Sequence, residues 1–137
     1  MSNTRLAVVV RKDLQLPAGL LAAQVAHIGD QWMRKRILQD YKPERDIIQE
    51  KGSFGCYSLI ELDWMKEPYI SVLAVNTKEE LDDIWSCAKR EVLQTYIWTD
   101  TIYSDILKKA IKVDVGISIG PDDFDKIKIV TGNLPLY

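Results

Sequence analysis

The sequence is poor in the residues that build disulfide frameworks and metal sites. Its 137 residues include two cysteines and one histidine, and Cys56 and Cys87 form no CxxC motif. This rules out a disulfide framework, and we expect both thiols to be reduced and inert in a cytosolic protein. A single histidine excludes a histidine-rich metal site. We therefore expect neither a metal nor a cofactor.

Long apolar runs and a strong charge of one sign are also lacking. No run approaches the roughly 20 apolar residues that span a bilayer, and the N-terminus lacks a signal peptide's basic and then apolar pattern, so we expect a cytoplasmic protein with no membrane partner. The net charge of −2 and the pI near 5.4 argue against broad nonspecific binding of nucleic acid. Three small basic clusters still allow a local basic patch: Arg11 with Lys12, Arg34 to Arg36, and Lys108 with Lys109 and Lys112.

The clearest pattern present is a buried strand followed by a long helix. Residues 6–10 are all apolar, as in a strand buried on both faces, and we predict a strand over 5–12. After a turn at Pro17 and Gly19, a helix is predicted to about Gln39. Helical spacing gives this helix two stripes. One is apolar and suits a sheet (Leu21, Val25, Ile28, Trp32), and the other is polar after its first member (Leu20, Gln24, His27, Gln31).

Further strands and helices alternate along the chain. We predict strands over 69–75, 95–98 and 113–119, a weak edge strand over 58–62, and a short helix or loop over 105–112. Helices are predicted from a Thr77–Glu80 capping box to Val92, and over about 122–130 before an extended tail. This order predicts one α/β domain over 1–137 with three layers, a four-stranded mixed sheet and helices on both faces. Residues 40–68 are predicted to be a lengthened insertion.

Polar residues follow the first and third predicted strands. Arg11, Lys12 and Asp13 come at the carboxyl end of the first strand, and Asp100 ends the third. Open α/β sheets place their ligands at such ends, so this edge is the candidate site. Structural roles remain open for some of these residues. Asp100 could cap the following loop, Asp13 could be a turn residue bound to the backbone, and His27 could be structural.

Three spaced motifs carry a resemblance to a known family. The first is Val8 to Leu14 followed by Ala22-Ala23-Gln24 and His27, the second is Asp100 after a strand, and the third is Ile119-Gly120-Pro121 followed by residues 131–136. They resemble the VVRxDL…GKxAAQxxHA, Asp-Ala-Gly-x-Thr-Gln and IGP…TGxLxL motifs of the second type of peptidyl-tRNA hydrolase. The resemblance covers nearly the whole chain except residues 40–68, and it implies that family's α/β fold.

The resemblance also implies a chemistry. The family hydrolyses the ester between a peptide and the 3′ ribose of tRNA without a metal, and it commonly forms homodimers. Its lysine would stabilise the developing oxyanion, while an aspartate and a threonine position water. Here Leu20 occupies the lysine position, Asp100 is retained, and Ser104 stands where the threonine should be. From the resemblance we expect catalytic roles for Asp100 and Ser104, and we add Lys12 and His27 as catalytic residues that compensate for the lost lysine. We expect substrate-binding roles for Arg11, Asp13, Gln24 and Thr101.

Leu20 leaves two functional hypotheses open. In the first, the chain is a divergent hydrolase in which Lys12 or a lysine of the 105–112 segment (Lys108 or Lys109) replaces the missing cation, or in which His27 acts as a base or orients water. In the second, it is an inactive relative that keeps the fold to bind a partner or ligand. Under either hypothesis, we expect the aromatic residues of the insertion to be exposed for stacking on bases or at a partner surface (Tyr41, Tyr57, Trp64).

Overall fold

Strands and helices alternate along most of the chain. The computed structural model describes residues 3–40, 57–104 and 107–137. Its elements are β1 (Thr4–Arg11), α1 (Ala18–Asp40), α2 (Leu59–Lys66), β2 (Ile70–Val75), α3 (Lys78–Arg90), β3 (Thr95–Ser104), β4 (Lys109–Asp123) and α4 (Phe124–Thr131). A 3-10 turn, Lys12–Leu14, follows β1. Most of the predicted insertion, residues 41–56 with Tyr41, lies outside the described residues.

The four strands form one mixed sheet in the order β2-β1-β4-β3. β1 pairs in parallel with β2 and antiparallel with β4, and β3 pairs antiparallel with β4. Ala7 and Val9 of β1 pack with α3 and α4, while Leu6, Val8 and Val10 pack against the side of α1 and α2. The apolar run of β1 is therefore buried on both faces. The predicted mixed sheet with helices on both faces is confirmed.

The prediction of an edge strand over 58–62 was wrong, because these residues begin α2. The Ser58 hydroxyl accepts a hydrogen bond from the Glu61 backbone N–H at 3.1 Å, and the Glu61 carboxylate accepts one from the Ser58 N–H at 2.7 Å. This reciprocal capping box satisfies two backbone donors that the first turn of a helix leaves free. The Ser-x-x-Glu spacing was present in the sequence, but the weak alternation around it obscured the helix.

The expected exposure of Trp64 in α2 was also wrong. Trp64 is only 5% exposed, and its ring meets Trp32 of α1 edge-on with centroids 5.7 Å apart. Its indole N–H donates to the Tyr69 carbonyl at 2.9 Å. Tyr57 meets Trp32 edge-on as well, at 5.9 Å. These aromatic rings fasten α2 to α1 and to the sheet, with Trp64 in the core and Tyr57 partly buried against it.

Strands β3 and β4 extend further than the sequence predicted. They form a long hairpin in which Ser104 pairs with Lys109, so residues 109–112 belong to a strand and not to a helix or loop. β4 also continues past the predicted stop at Gly120-Pro121 to Asp123. The register of the pairing between β1 and β4 shifts there, between Arg5 and Ala7 of β1. Gly120 adopts a φ of +100° at this irregularity, which residues with a side chain rarely adopt.

The chain's last residues and the end of α3 also differ from expectation. The tail is held against β2, because the Ala74 N–H donates to the Pro135 carbonyl and the Tyr137 N–H donates to the Val72 carbonyl, both at 3.0 Å. α3 ends at Arg90. Val92, expected on the apolar face of that helix, is exposed in a turn with a φ of 57°.

Candidate active site at the edge of the sheet

The polar stripe of α1 packs against the edge strand β3. Gln24 is only 2% exposed and Gln31 is also buried, whereas His27 and Leu20 face solvent. The Gln31 side-chain amide donates to the Ile97 carbonyl at 2.6 Å. An edge strand presents unpaired backbone groups, and the glutamine satisfies one of them. The stripe is therefore a packing surface as well as part of the candidate site.

A chain of hydrogen bonds joins β3 to α1 and ends at Asp100. The Trp98 indole N–H donates to the Gln24 side-chain oxygen at 2.6 Å, and the Gln24 amide donates to Asp100 Oδ2 at 2.9 Å. The Thr101 backbone N–H donates to Asp100 Oδ1 at 2.7 Å. An indole N–H can only donate, so Trp98 fixes the Gln24 amide with its NH₂ group toward Asp100. Both carboxylate oxygens are thereby held in place.

The surroundings of Asp100 keep its carboxylate ionised. The hydrogen bond from Gln24 and the one from the Thr101 N–H lower its pKa, burial opposes them, and the charge of His27 lowers the pKa further. None of the salt bridges between described residues involves Asp100. A half-buried carboxylate that is ionised and held by neutral donors can still accept a hydrogen bond from a water molecule or a substrate hydroxyl.

A bulge in β4 lies opposite Trp98 and Thr99, next to Asp100. The β3–β4 register shifts between Trp98 and Thr99, so that β4 contributes the additional residue Val115 between the partners of these two residues. Such a bulge redirects side chains and is common near functional sites. Beside it, a Cβ at Gly116 would overlap the Val9 carbonyl and lie 2.8 Å from Ile28 Cδ1. Only glycine therefore lets α1 approach the sheet this closely.

Aromatic and cationic groups lie next to Asp100 on the same face. The His27 ring stacks on the Trp98 ring with centroids 4.9 Å apart and an interplanar angle of 22°. The Arg34 guanidinium lies 5.5 Å from the centre of the Trp98 ring and pairs with Asp30 at 2.9 Å. The side chains of His27, Trp98 and Arg34 form a partly exposed platform of the kind on which a nucleic-acid base can stack.

Arg11 and Asp13 lie at the end of β1 and bind each other. The Arg11 Nε and Nη2 atoms donate to the two oxygens of Asp13 at 3.0 and 2.8 Å, and Nη1 donates to the Asp114 carbonyl at 3.2 Å. The Asp13 hydrogen bond is the largest cause of a raised Arg11 pKa. Within the described part of the protein, no hydrogen bond connects this pair to the hydrogen-bonded series Trp98–Gln24–Asp100. The two predicted binding residues are thus engaged with each other.

Two predicted catalytic residues lie apart from Asp100. Lys12 Nζ is 5.8 Å from the centre of the Tyr137 ring. Ser104 lies four residues after Asp100 on the extended strand β3, roughly 13 Å from it. Its hydroxyl accepts a hydrogen bond from the Leu107 N–H at 3.1 Å. The structure does not bring Lys12 or Ser104 to the Asp100 carboxylate. Leu20, one helical turn before Gln24, is 38% exposed.

Trp98 is the residue of this site that the sequence did not reveal, because no motif contains it. Trp98 and Asp100 are two positions apart on β3, and this spacing is the one local sign that their side chains lie on the same face of the strand. Among residues 3–40, 57–104 and 107–137, no group of three or more His, Cys, Asp or Glu side chains could hold a metal ion. In the same residues, no helix combines the length and the apolar character needed to cross a membrane.

The model of the family described as peptidyl-tRNA hydrolase PTH2 matches residues 4–137. The chain belongs to this peptidyl-tRNA hydrolase family. It is 30% identical over 129 residues to the peptidyl-tRNA hydrolase of Methanothermobacter thermautotrophicus, covering 94% of this chain and 96% of that protein. It is 31% identical over 131 residues to the peptidyl-tRNA hydrolase of Methanopyrus kandleri, with 94% of each chain covered. The family resemblance drawn from the three motifs is confirmed.

A solved structure supports the fold. A protein of unknown function from Agrobacterium tumefaciens strain C58 superposes with a TM-score of 0.57 at 18% identity, covering 100% of this chain and 99% of the other. At that identity the likeness concerns architecture alone. The shared architecture extends over the whole of this chain.

Proposed function

We propose that this family member hydrolyses the ester of peptidyl-tRNA without a metal, at the edge of the sheet where Asp100 lies on β3. The observation that carries the proposal is the ionised Asp100 carboxylate, which receives hydrogen bonds from Gln24 and from the Thr101 N–H. Both donors are neutral, so the negative charge remains available to a water molecule. The proposed substrate follows from family membership.

In the proposed reaction, Asp100 accepts a hydrogen bond from a water molecule and orients its oxygen toward the ester carbonyl. Attack forms the new carbon–oxygen bond while Asp100 takes a proton from the water molecule. Collapse of the tetrahedral intermediate then breaks the bond to the 3′ ribose oxygen, which takes up that proton as it leaves. Negative charge develops on the carbonyl oxygen during attack, and a cation or a hydrogen-bond donor there lowers the barrier. Leu20 provides neither, so turnover is slower than it would be with lysine at this position.

Among the residues predicted to compensate for the missing lysine, His27, as a base or in orienting water, has the strongest support. It stacks on Trp98, which is joined to Asp100 through Gln24, and its charge acts on the Asp100 carboxylate. Lys12 lies over Tyr137, and Lys108 and Lys109 lie at the far end of the β3–β4 hairpin. We therefore assign Asp100 and His27 to catalysis, and Gln24 to positioning Asp100.

The test is release of peptide from purified N-blocked aminoacyl-tRNA by the wild type, Asp100→Asn and Leu20→Lys. Asp100→Asn should abolish release without unfolding the protein. Leu20→Lys should raise the rate about a hundredfold or more, on the scale of gaining one oxyanion donor. Asp83→Asn is the matched control, since Asp83 is an exposed carboxylate on α3, which packs on the opposite face of the sheet. Turnover by Asp100→Asn equal to that of the wild type would contradict the assignment.

A second candidate function is a non-catalytic binding module, and exposed Leu20 is the observation that favours it. An apolar side chain at the position of the family lysine suits contact with an apolar partner group better than charge stabilisation. In this case neither the wild type nor Asp100→Asn would release peptide. Binding to tRNA would also be absent in a filter-binding assay.

We further propose that the chain works in the cytoplasm as a homodimer. Peptidyl-tRNA, the proposed substrate, is a product of translation, and exposed apolar side chains such as Leu38 of α1 and Ile70 of β2 offer surface for a second copy. Sedimentation equilibrium of the purified protein tests the dimer. A monomer at all concentrations would contradict it.

A further inference from the structure

A pocket lies on the face of the sheet opposite Asp100, between α4 and strands β1 and β2. Its volume is about 230 Å³, and its floor is apolar, formed by Ala7, Leu73 and Ile127. Arg5 and Lys128 line the same pocket. It therefore combines an apolar interior with two positive charges, and none of its lining residues takes part in the proposed hydrolysis.

Arg5 is held like an anion-binding arginine. Its guanidinium carbon lies 4.3 Å from the centre of the Tyr69 ring and 5.1 Å from that of Phe124. Its Nη1 atom donates to the Thr4 carbonyl at 2.9 Å, and no salt bridge joins it to a carboxylate of the described residues. A guanidinium has five N–H donors in one plane. Contact with the two rings restrains that plane and leaves donors for a carboxylate.

Lys128 supplies the second charge. Its ammonium lies 5.3 Å from the centre of the Phe124 ring, and the carboxylate with which it pairs, that of Asp125, is 3.9 Å away with both side chains exposed. An exposed pair of this length holds the lysine weakly. The Ser71 hydroxyl lines the pocket too, and no hydrogen bond engages it within the described residues. The pocket thus offers donors and presents no carboxylate among its lining residues.

We propose that this pocket binds a small organic carboxylate with an apolar body. The carboxylate receives hydrogen bonds from Arg5 in the fork geometry that arginine provides and is attracted by Lys128. The apolar body covers Ala7, Leu73 and Ile127. The volume is below the range of roughly 300–1,000 Å³ of drug-sized ligand sites, which limits the ligand to about ten non-hydrogen atoms. Nucleotides and all but the smallest dipeptides are larger than that.

The experiment is a titration of isotope-labelled full-length protein with phenylacetate and 4-methylpentanoate, followed by amide chemical shifts. Saturable shifts are expected at Ser71, Leu73 and Thr131. Phenylacetamide, a neutral analogue of the same shape, should bind at least tenfold more weakly, because it cannot form the charge-assisted bonds. Arg5→Met, which keeps an unbranched stem between the two rings, should weaken phenylacetate binding at least tenfold. Lys128→Met should weaken it a few-fold.

Lys35→Met is the matched control, since Lys35 is an exposed lysine on α1, on the other face of the sheet, and it should bind phenylacetate like the wild type. The proposal is overturned if neither carboxylate saturates these shifts at about 10 mM, a concentration above any specific dissociation constant of interest. It is also overturned if phenylacetamide binds as tightly as phenylacetate. If Arg5→Met fails to fold, Lys128→Met and the amide comparison still decide. Peptide release is not measured, so the result is independent of the proposed hydrolysis.

Discussion

Asp100 shows how neutral neighbours lower the pKa of a carboxyl group. The donors that reach it are an amide and a backbone N–H, and they favour its charged form without forming an ion pair. A folded-state pKa below the unfolded value contributes stability above the unfolded pKa. This contribution is lost as the pH falls through the folded pKa. The direction of the Gln24 donor depends on Trp98.

The first prediction concerns Trp98→Phe, which keeps an aromatic ring beside His27 but removes the indole N–H. The Gln24 oxygen then loses its donor in a buried position, at a cost of about 1 kcal/mol or more. The amide no longer has a fixed orientation, so the pKa of Asp100 should rise toward its ordinary value. Carboxyl carbon NMR across a pH titration measures the pKa, and urea unfolding measures the stability.

Trp85→Phe is the matched control, because Trp85 packs with the core on the α3 side of the sheet. It should leave the titration of Asp100 unchanged. If Asp100 titrates identically in Trp98→Phe and the wild type, Trp98 has no role in orienting Gln24.

At the scale of elements, the contact between α1 and the sheet determines whether Gln24 can reach β3. The β4 bulge and the missing side chain at Gly116 allow the helix to approach this closely. The interior is packed as densely as a molecular crystal. The helix therefore has little room to accept an added methyl group at this point, and neither the Val9 backbone nor the sheet can yield easily.

We predict that Gly116→Ala destabilises the protein by about 1–3 kcal/mol, the usual cost of overpacking, and lowers peptide release by displacing α1 from β3. Gly19→Ala is the control. A Cβ at Gly19 meets nothing within 4 Å, and alanine in a helix is favoured over glycine by about 1 kcal/mol. Urea unfolding should order the variants Gly19→Ala, wild type and Gly116→Ala from most to least stable. Equal stability of Gly116→Ala and the wild type would contradict this account.

At the scale of the whole molecule, the sheet separates two surfaces with different chemistry. The α1 side presents an ionised carboxylate with an aromatic and cationic platform, and the α4 side presents the Arg5 pocket. The net charge of −2 cannot attract a polyanion as a whole. The proposed binding to tRNA would therefore depend on local groups of basic residues, and the β3–β4 hairpin carries one of them beyond Asp100 (Lys108, Lys109, Lys112).

The double variant Lys108→Gln with Lys109→Gln should bind tRNA more weakly than the wild type, and its affinity should depend less steeply on salt. The log–log slope should decrease by roughly 0.7–0.9 for each phosphate that the lysines no longer neutralise. Lys66→Gln with Lys126→Gln removes the same charge at α2 and α4, away from the hairpin, and controls for the net charge. Filter binding at several salt concentrations measures both. Equal slopes for the two double variants would rule out the hairpin as a tRNA-binding surface.

The sequence alone determined the order of most elements, the α/β class and the family. These depend on patterns within short stretches: the apolar run of β1, the helical stripes of α1 and the three motifs. Local periodicity and spacing are physical consequences of strand and helix geometry, so they can be read without knowing the partners. The sequence also singled out Asp100 and Gln24, through the family motifs.

Tertiary structure alone decided which of these residues meet. Gln24 and Asp100 are 76 positions apart, and no local pattern states that the α1 stripe lies on β3 and that Trp98 orients the amide. The same holds for the length of the β3–β4 hairpin and the pairing of the tail with β2. It also holds for the separation of Lys12 and Ser104 from Asp100. Hydrogen bonds and packing between distant segments fix these features, because a buried polar group must find its partner wherever the fold places one.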